Sequence, residues 1–486
     1  MSCLSAFVLT RDIIVYTYKY FFREGMEFSL PLLLLLTTGG VSSRDCHAPA
    51  RYPWVATKTP YRLLAPEGLP SPLNVSALAV WGLVRHGTRY PSKEAIIKMG
   101  DQLDGLRERI IEAEGGLCAR GKERLKLWKR EADPSDQKLL HVEGEKELFA
   151  LGERWHARLP QLFDDYQGDL EQSEFRFRAT VKQRAKESGK FFASGLLGRD
   201  VHWEEPILPH DPVIRSYKLC EKWKTTVKKN PASFEERRKF EVSEPVELVR
   251  REISEYLGLQ PILTLEELDL LYVTCNFDLA WRSGPGAGPW CDLFTKEQLE
   301  VMEYREDLDY YWVDGPGYPV TAAQSCPLMK DLLETFSAGQ TRKGTFYFSH
   351  SGAILKFLAF LGLFQDTEPL LSDNFDKMRD QREWRTSKIG PFAGNIFFVL
   401  VDDFVGLSCN ANDDVRVLMF VNEVETPIPG CEEPCSMAQM REMVGLHRWS
   451  SGSDVEEFPC NFAEICKIEE GAGGGGGGAE VEDDKY

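Results

Sequence analysis

The run Arg85-His86-Gly87-Thr88-Arg89-Tyr90-Pro91 gathers the residue types that phosphoryl chemistry needs into a single turn. A neutral imidazole is a competent nucleophile at phosphorus, and covalent capture on His86 would split one difficult hydrolysis into two easier steps. Arg85 and Arg89 present planar, permanently charged forks suited to phosphate oxygens. Gly87 lets the backbone turn sharply and come close to a bound group. Arg-His-Gly alone also describes a strand-end turn with a solvated arginine, but the longer pattern R-H-G-x-R-x-P is far more specific. No metal motif accompanies it. The arginines must then supply the electrostatic stabilisation that a metal ion gives elsewhere, and no cofactor is expected.

The surrounding pattern supplies the elements to hold such a turn. Ser76 to Val84 (SALAVWGLV) is an unbroken apolar run of the kind that forms a strand buried on both faces. His86 then emerges at the C-terminal end of that strand, where ligands of α/β sheets collect. Glu123 to Arg130 and Glu143 to Leu159 read as amphipathic helices. Phe175 to Thr180 alternates as a strand and Lys182 to Leu197 follows as a helix. Gly344 to Ser349 (GTFYFS) and Asn395 to Val401 (NIFFVLV) are further strands, with a helix over Ile354 to Phe364. Pro49 to Pro72 reads as irregular chain wrapped over the fold. The expectation is an α/β fold: a central mixed, mostly parallel sheet flanked by helices. A helical subdomain is inserted at about residues 200–320.

Composition narrows the function classes. The formal net charge is −18, so no global positive field exists to bind nucleic acid, and an anionic substrate needs a locally basic pocket. The apolar run Leu30 to Leu36, followed by Thr37-Thr38-Gly39-Gly40 and Ser42-Ser43, reads as a secretory signal cleaved near Ser43. An uncleaved N-terminal anchor is the alternative. The domain plan is an N-terminal extension and signal at 1–43, one domain at 44–468, and a disordered Gly-rich acidic tail at 469–486. Secretion or residence in the ER lumen is expected, with no membrane span in the mature chain. Twelve cysteines suit disulfides in that compartment, with one thiol left over after removal of Cys3. Cys275 and Cys291 flank a Gly/Pro-rich loop, and Cys431/Cys435 and Cys460/Cys466 cluster near the end. Zinc is a rival reading for the two close pairs. Asn74-Val75-Ser76 is a glycosylation acceptor. Nothing in the sequence sets an oligomeric state.

RHGTRYP resembles the signature of the histidine acid phosphatases. More narrowly, Thr274 to Ala280 (TCNFDLA), Pro289-Trp290-Cys291-Asp292, Tyr310-Tyr311-Trp312 with Gly315 to Tyr318, Phe364 to Leu370 and Pro391 to Leu400 are similar to the multiple inositol polyphosphate phosphatase branch. The likeness runs from about Cys46 to Val424. It implies removal of phosphate from small phosphorylated molecules, namely inositol polyphosphates, with 2,3-bisphosphoglycerate as a second substrate. It also implies His86 as nucleophile, and Arg85, Arg89 and Thr88 on the substrate phosphate. Arg184 is placed as a third phosphate-binding arginine, with Arg178 as second choice, and His350 as a second active-site histidine. Without the resemblance, Lys182, Arg184, Lys186 and Lys190 also read as an exposed basic helix face, and His350 as a structural residue.

One departure matters. Family members carry a carboxylic acid just after the second histidine, as His-Asp or His-Ala-Glu, to protonate the leaving oxygen. This chain reads His350-Ser351-Gly352, and no carboxylate follows until Asp366. Loss of a general acid costs about 10²–10⁴ in rate. Three readings stay open: an acid from elsewhere, such as Glu94 or Asp101; a proton from a neighbouring substrate phosphate; or a polyphosphate-binding protein that turns over poorly.

Overall fold

The computed structural model describes residues 55–468, apart from 165–173, 283–287, 338–341, 403–414, 432–433, 446, 452–453 and 459. The signal and tail assigned to 1–43 and 469–486 lie outside the described residues. The strands are β1 (Ser76–Arg85), β2 (Phe175–Ala179), β3 (Gly344–Ser349), β4 (Asn395–Asp402) and β5 (Val415–Val421). They form the main path of a seven-stranded sheet in the order β2-β3-β1-β4-β5. The pairs β2/β3 and β3/β1 are parallel, the part that the strand-to-helix alternation anticipates. β4 and β5 extend the sheet antiparallel.

Both faces of the sheet are covered, which is why β1 reads as a continuous apolar run rather than an alternating one. Trp81 and Leu83 point into one core, while Val80 and Val84 point into the other. The second core is closed by α2 (Val142–Arg158) and α3 (Gln183–Leu197), which carry Leu148, Leu151, Trp155 and Phe192 into it. Trp155 stacks on Phe397 at 4.0 Å between ring centroids and meets Phe420 edge-on. These two helices approach so closely that a β-carbon at Gly195 would overlap the carbonyl oxygen of Phe149.

The first core takes α1 (Lys93–Glu112), α4 (Leu265–Trp281), α5 (Lys296–Asp314) and α6 (Ser351–Phe360). Thr264 with Glu267, and Thr295 with Gln298, form capping boxes at the starts of α4 and α5. The helical stretch between α3 and β3 runs from Glu221 to Thr335 and shares this core with the sheet. Among the described residues no helix is long and apolar enough to cross a membrane.

Disulfides staple the two ends of the helical stretch to the C-terminal segment. Cys220 pairs with Cys466 and Cys326 with Cys460, so the close pair Cys460/Cys466 is divided between two partners. Cys275 pairs with Cys291 and Cys431 with Cys435. The zinc alternative for the two close pairs falls with this pairing, since all four sulfurs are bonded to other sulfurs.

Trp155 is fully buried, so Trp155→Ala empties the middle of the second core. It is expected to lower the unfolding free energy by about 3–5 kcal/mol, read by urea denaturation. A loss below about 1 kcal/mol would contradict this packing.

Candidate active site

The register of the parallel strands builds the site. Arg85 of β1 pairs with Ser349 of β3, and Ala179 of β2 pairs with Phe348. The next residues along, His86, His350 and Thr180, therefore leave the sheet together at its C-terminal edge. Backbone bonds continue the ladder into the turns, from His86 N to Ser349 O at 3.1 Å and from Thr180 N to Phe348 O at 3.1 Å. The two histidine rings come to rest 5.5 Å apart between centroids.

The turn after β1 is locked from behind by α2 and α3. Gly87 N–H donates to Ser188 Oγ (3.0 Å), and Thr88 N–H donates to Glu147 Oε2 (2.8 Å). Glu147 also accepts from Tyr61 N–H at 2.8 Å. Burial raises the Glu147 carboxyl above its ordinary value, and these amide donors pull it back. A β-carbon at Gly87 would lie 2.6 Å from Gly144 O, so only glycine permits this approach of turn to helix.

His86 is buried, and its Nδ1 lies 2.9 Å from Gly87 O. A carbonyl oxygen can only accept, so Nδ1 carries the hydrogen and Nε2 keeps its lone pair. Burial pushes His86 well below the ordinary histidine value, and Arg184, Arg85, His350 and Arg89 push it further. The ring is thus held neutral, as a nucleophile must be, by the cationic cluster that would attract a phosphate.

Each arginine of the cluster is positioned by the fold. Arg85 donates to Thr57 O (2.5 Å) and Gly390 O (2.8 Å), with its guanidinium 4.6 Å from the centroid of Phe392. Arg89 donates to Tyr90 O at 2.7 Å. Arg184, in the first turn of α3, brings Nη2 to 3.5 Å from His350 Nδ1, while His350 Nε2 lies 3.1 Å from Thr180 Oγ1.

Of the residues singled out in the sequence, His86, His350, Arg85, Arg89 and Arg184 converge. Thr88 is buried beside them, with its amide committed to Glu147. The basic run on α3 divides: Arg184 is buried in the cluster, whereas Lys182, Lys186 and Lys190 are exposed. Arg178 goes elsewhere, pairing with Asp211 (3.1 Å) and lying over the Tyr347 ring. The candidate acids Glu94 and Asp101 stay exposed on α1, where Glu94 pairs with Lys98. Asp366 accepts the backbone N–H groups of Glu383 and Trp384.

Four contributors escaped the sequence reading. Glu147 and Ser188 hold the turn, and their signal was hidden inside ordinary amphipathic helices. Thr57 and Lys58 frame it from the segment read as irregular chain. Lys58 is buried, pairs with Glu306 at 2.8 Å and lies within the field of Arg89. A polar Thr-Lys-Thr trio among aromatic residues was the available clue.

A family model described as histidine phosphatase superfamily (branch 2) matches residues 79–420. The chain is 30% identical over 409 residues to multiple inositol polyphosphate phosphatase 1 of Drosophila melanogaster, covering 81% of this chain and 84% of that one. It is 28% identical over 440 residues to the protein of that name from Homo sapiens, covering 81% and 86%. Among solved structures, the phytase from D. castellii superposes with a TM-score of 0.64 at 18% identity, over 85% of this chain and 87% of that one. Multiple inositol polyphosphate phosphatase from Bifidobacterium longum, in complex with inositol hexasulfate, superposes with a TM-score of 0.59 at 16% identity, over 80% and 97%. At these identities the two structures speak for the fold.

The depressed His86 value has a consequence for stability. The unfolded chain takes up a proton at this residue as pH falls through about 6.5, while the folded one resists until lower pH. His86 thus contributes stability above that value, and the contribution is lost as pH falls through its folded value. Urea unfolding at about pH 7 and about pH 5 should show wild type losing more stability on acidification than His86→Asn. Equal losses would contradict a neutral buried His86.

Proposed function

The chain belongs to the histidine phosphatase superfamily, branch 2, and on that premise we propose that it releases phosphate from inositol polyphosphates through a phosphohistidine on His86 Nε2. The observation that carries the reading is the neutral His86 ring set among Arg85, Arg89, Arg184 and His350. A phosphate drawn into that cluster meets a nitrogen lone pair at once. Arg85, Arg89, Thr88 and Arg184 hold its oxygens, and His350 hydrogen-bonds it from the neighbouring strand end.

The arginines do work in the transition state as well as in binding. Negative charge on the equatorial oxygens faces donors already fixed by backbone carbonyls and ring stacking, so little reorganisation is needed as the phosphoryl group moves. The choice of inositol polyphosphates rests on the curated relatives and on the multiple local matches along the chain. Its compartment is the secretory pathway, with export or the ER lumen as its destination. The long-range disulfides Cys220–Cys466 and Cys326–Cys460 support this, because such bonds persist in oxidising compartments.

Gly352 favours a second reading, a polyphosphate-binding protein without turnover. Inositol hexakisphosphate separates the two. The purified chain is expected to release inorganic phosphate from it, whereas binding without release would establish the second reading. His86→Ala should lower the rate by roughly 10⁴-fold or more, with the far-UV circular dichroism unchanged. Arg184→Ala should lower kcat/KM by roughly 10²–10³-fold. Undiminished release by His86→Ala would overturn the mechanism.

A further inference from the structure

An inositol oxygen leaves as a poor alkoxide unless it is protonated as the phosphorus–oxygen bond breaks, and position 352 offers no side chain to do it. Resting on the phosphatase reading above, we infer that Asp314, carried by the last turn of α5, is the proton donor to the leaving oxygen.

The geometry around Gly352 points there. A β-carbon built on Gly352 would lie 3.5 Å from Asp314 Oδ1, 3.8 Å from Asp314 Cγ and 3.3 Å from Lys356 Nζ. A glutamate side chain places its own oxygens roughly 3–4 Å from its β-carbon. Asp314 Oδ1 thus lies about as far from the 352 β-carbon as a glutamate's own carboxylate oxygens would. Gly352 lies in the first turn of α6, whose N-cap is His350. Asp314 accordingly reaches the first turn of α6, two positions past His350 in sequence, from a different helix.

Two other buried carboxylates, Glu147 and Asp211, are committed. Glu147 accepts from Thr88 and Tyr61 amides, and Asp211 from Val213 and Ile214 amides while pairing with Arg178. Asp314 is partly exposed, with 17% of its side chain accessible, and pairs through Oδ1 with the buried ammonium of Lys356. That ammonium is set 4.7 Å from the Tyr217 ring centroid and 4.3 Å from that of Trp223. Trp223 also donates its indole N–H to Val313 O (3.1 Å), which pins the end of α5. Lys356 is a positioning residue: it takes up Oδ1 and leaves Oδ2 as the oxygen that serves the substrate. The absence of a side chain at 352 is what gives the pair its room.

In the first step the bond from His86 Nε2 to phosphorus forms as the bond from phosphorus to the leaving oxygen breaks. The electron pair of that bond passes to the leaving oxygen, which takes the proton that the protonated form of Asp314 carries on Oδ2. The carboxylate left behind is held by Lys356. In the second step a water oxygen attacks phosphorus, Asp314 takes a proton from that water, and the nitrogen–phosphorus electron pair returns to His86.

Leaving-group dependence tests this directly, because 4-nitrophenolate departs without a proton. Asp314→Asn is expected to cut kcat/KM on inositol hexakisphosphate by about 10²–10⁴-fold, yet to stay within about tenfold of wild type on 4-nitrophenyl phosphate. Equal losses on both substrates, or none on either, would overturn the assignment while leaving His86 chemistry intact. A wild type inactive on both would instead remove the phosphatase reading, and this inference with it. Adding Gly352→Glu to Asp314→Asn should restore most of the loss on hexakisphosphate, and no recovery would count against the shared position. Should Asp314→Asn fail to fold, Asp314→Asn with Lys356→Met leaves no unpaired buried ammonium and carries the same comparison.

Discussion

Everything at the site depends on the register between two parallel strands. Pairing Arg85 with Ser349 makes His86 and His350 the first residues past adjacent strand ends. Side chains alternate faces along a strand, so a slip of one residue would turn either histidine away from the other. The register is strongly held because both faces of β1 are buried, with Trp81 and Leu83 on one side and Val80 and Val84 on the other. The site is thereby positioned by strands buried in both cores. Glu147, Ser188 and Gly144 then press the turn into shape from the helices behind it.

The second constraint is electrostatic. Cationic groups crowd around a buried imidazole in a chain whose formal net charge is −18. Arginines keep their charge under such crowding, while histidine gives its charge up. The result is a neutral imidazole inside a positive cluster, which on the proposed reading is the nucleophile that meets a substrate phosphate. Arg85 is anchored on the carbonyl oxygens of Thr57 and Gly390, and Arg89 on that of Tyr90.

The sequence exposed this arrangement unevenly. β1, β2, β3 and β4 were legible because each is a short apolar or alternating run, and the turn after β1 was legible because its five defining residues fall within one seven-residue stretch. Arg184 could be chosen over Arg178 only through family likeness, since one basic stretch carries both; Arg178 stays in β2 and pairs with Asp211, while Arg184 lies beyond the strand end against His350. Disulfide partners 246 and 134 residues apart could not be read from spacing. Asp314 was invisible for the same reason. It stands 36 positions before His350 in sequence, and only the packing of α5 against α6 brings it beside Gly352. Glu94 and Asp101 were natural candidates by proximity to the motif, yet the face of α1 that carries them is turned to solvent. Contacts made through tertiary packing leave no local pattern.

The most direct measurement is to trap the covalent intermediate. The enzyme would be mixed with inositol hexakisphosphate, quenched in alkali during turnover, digested, and its peptides read by mass spectrometry. Phosphohistidine survives alkali, so one phosphoryl group should appear on the peptide containing His86 and vanish after chase with water. A phosphoryl group on any other residue, or turnover with no trapped adduct at His86, would contradict the account.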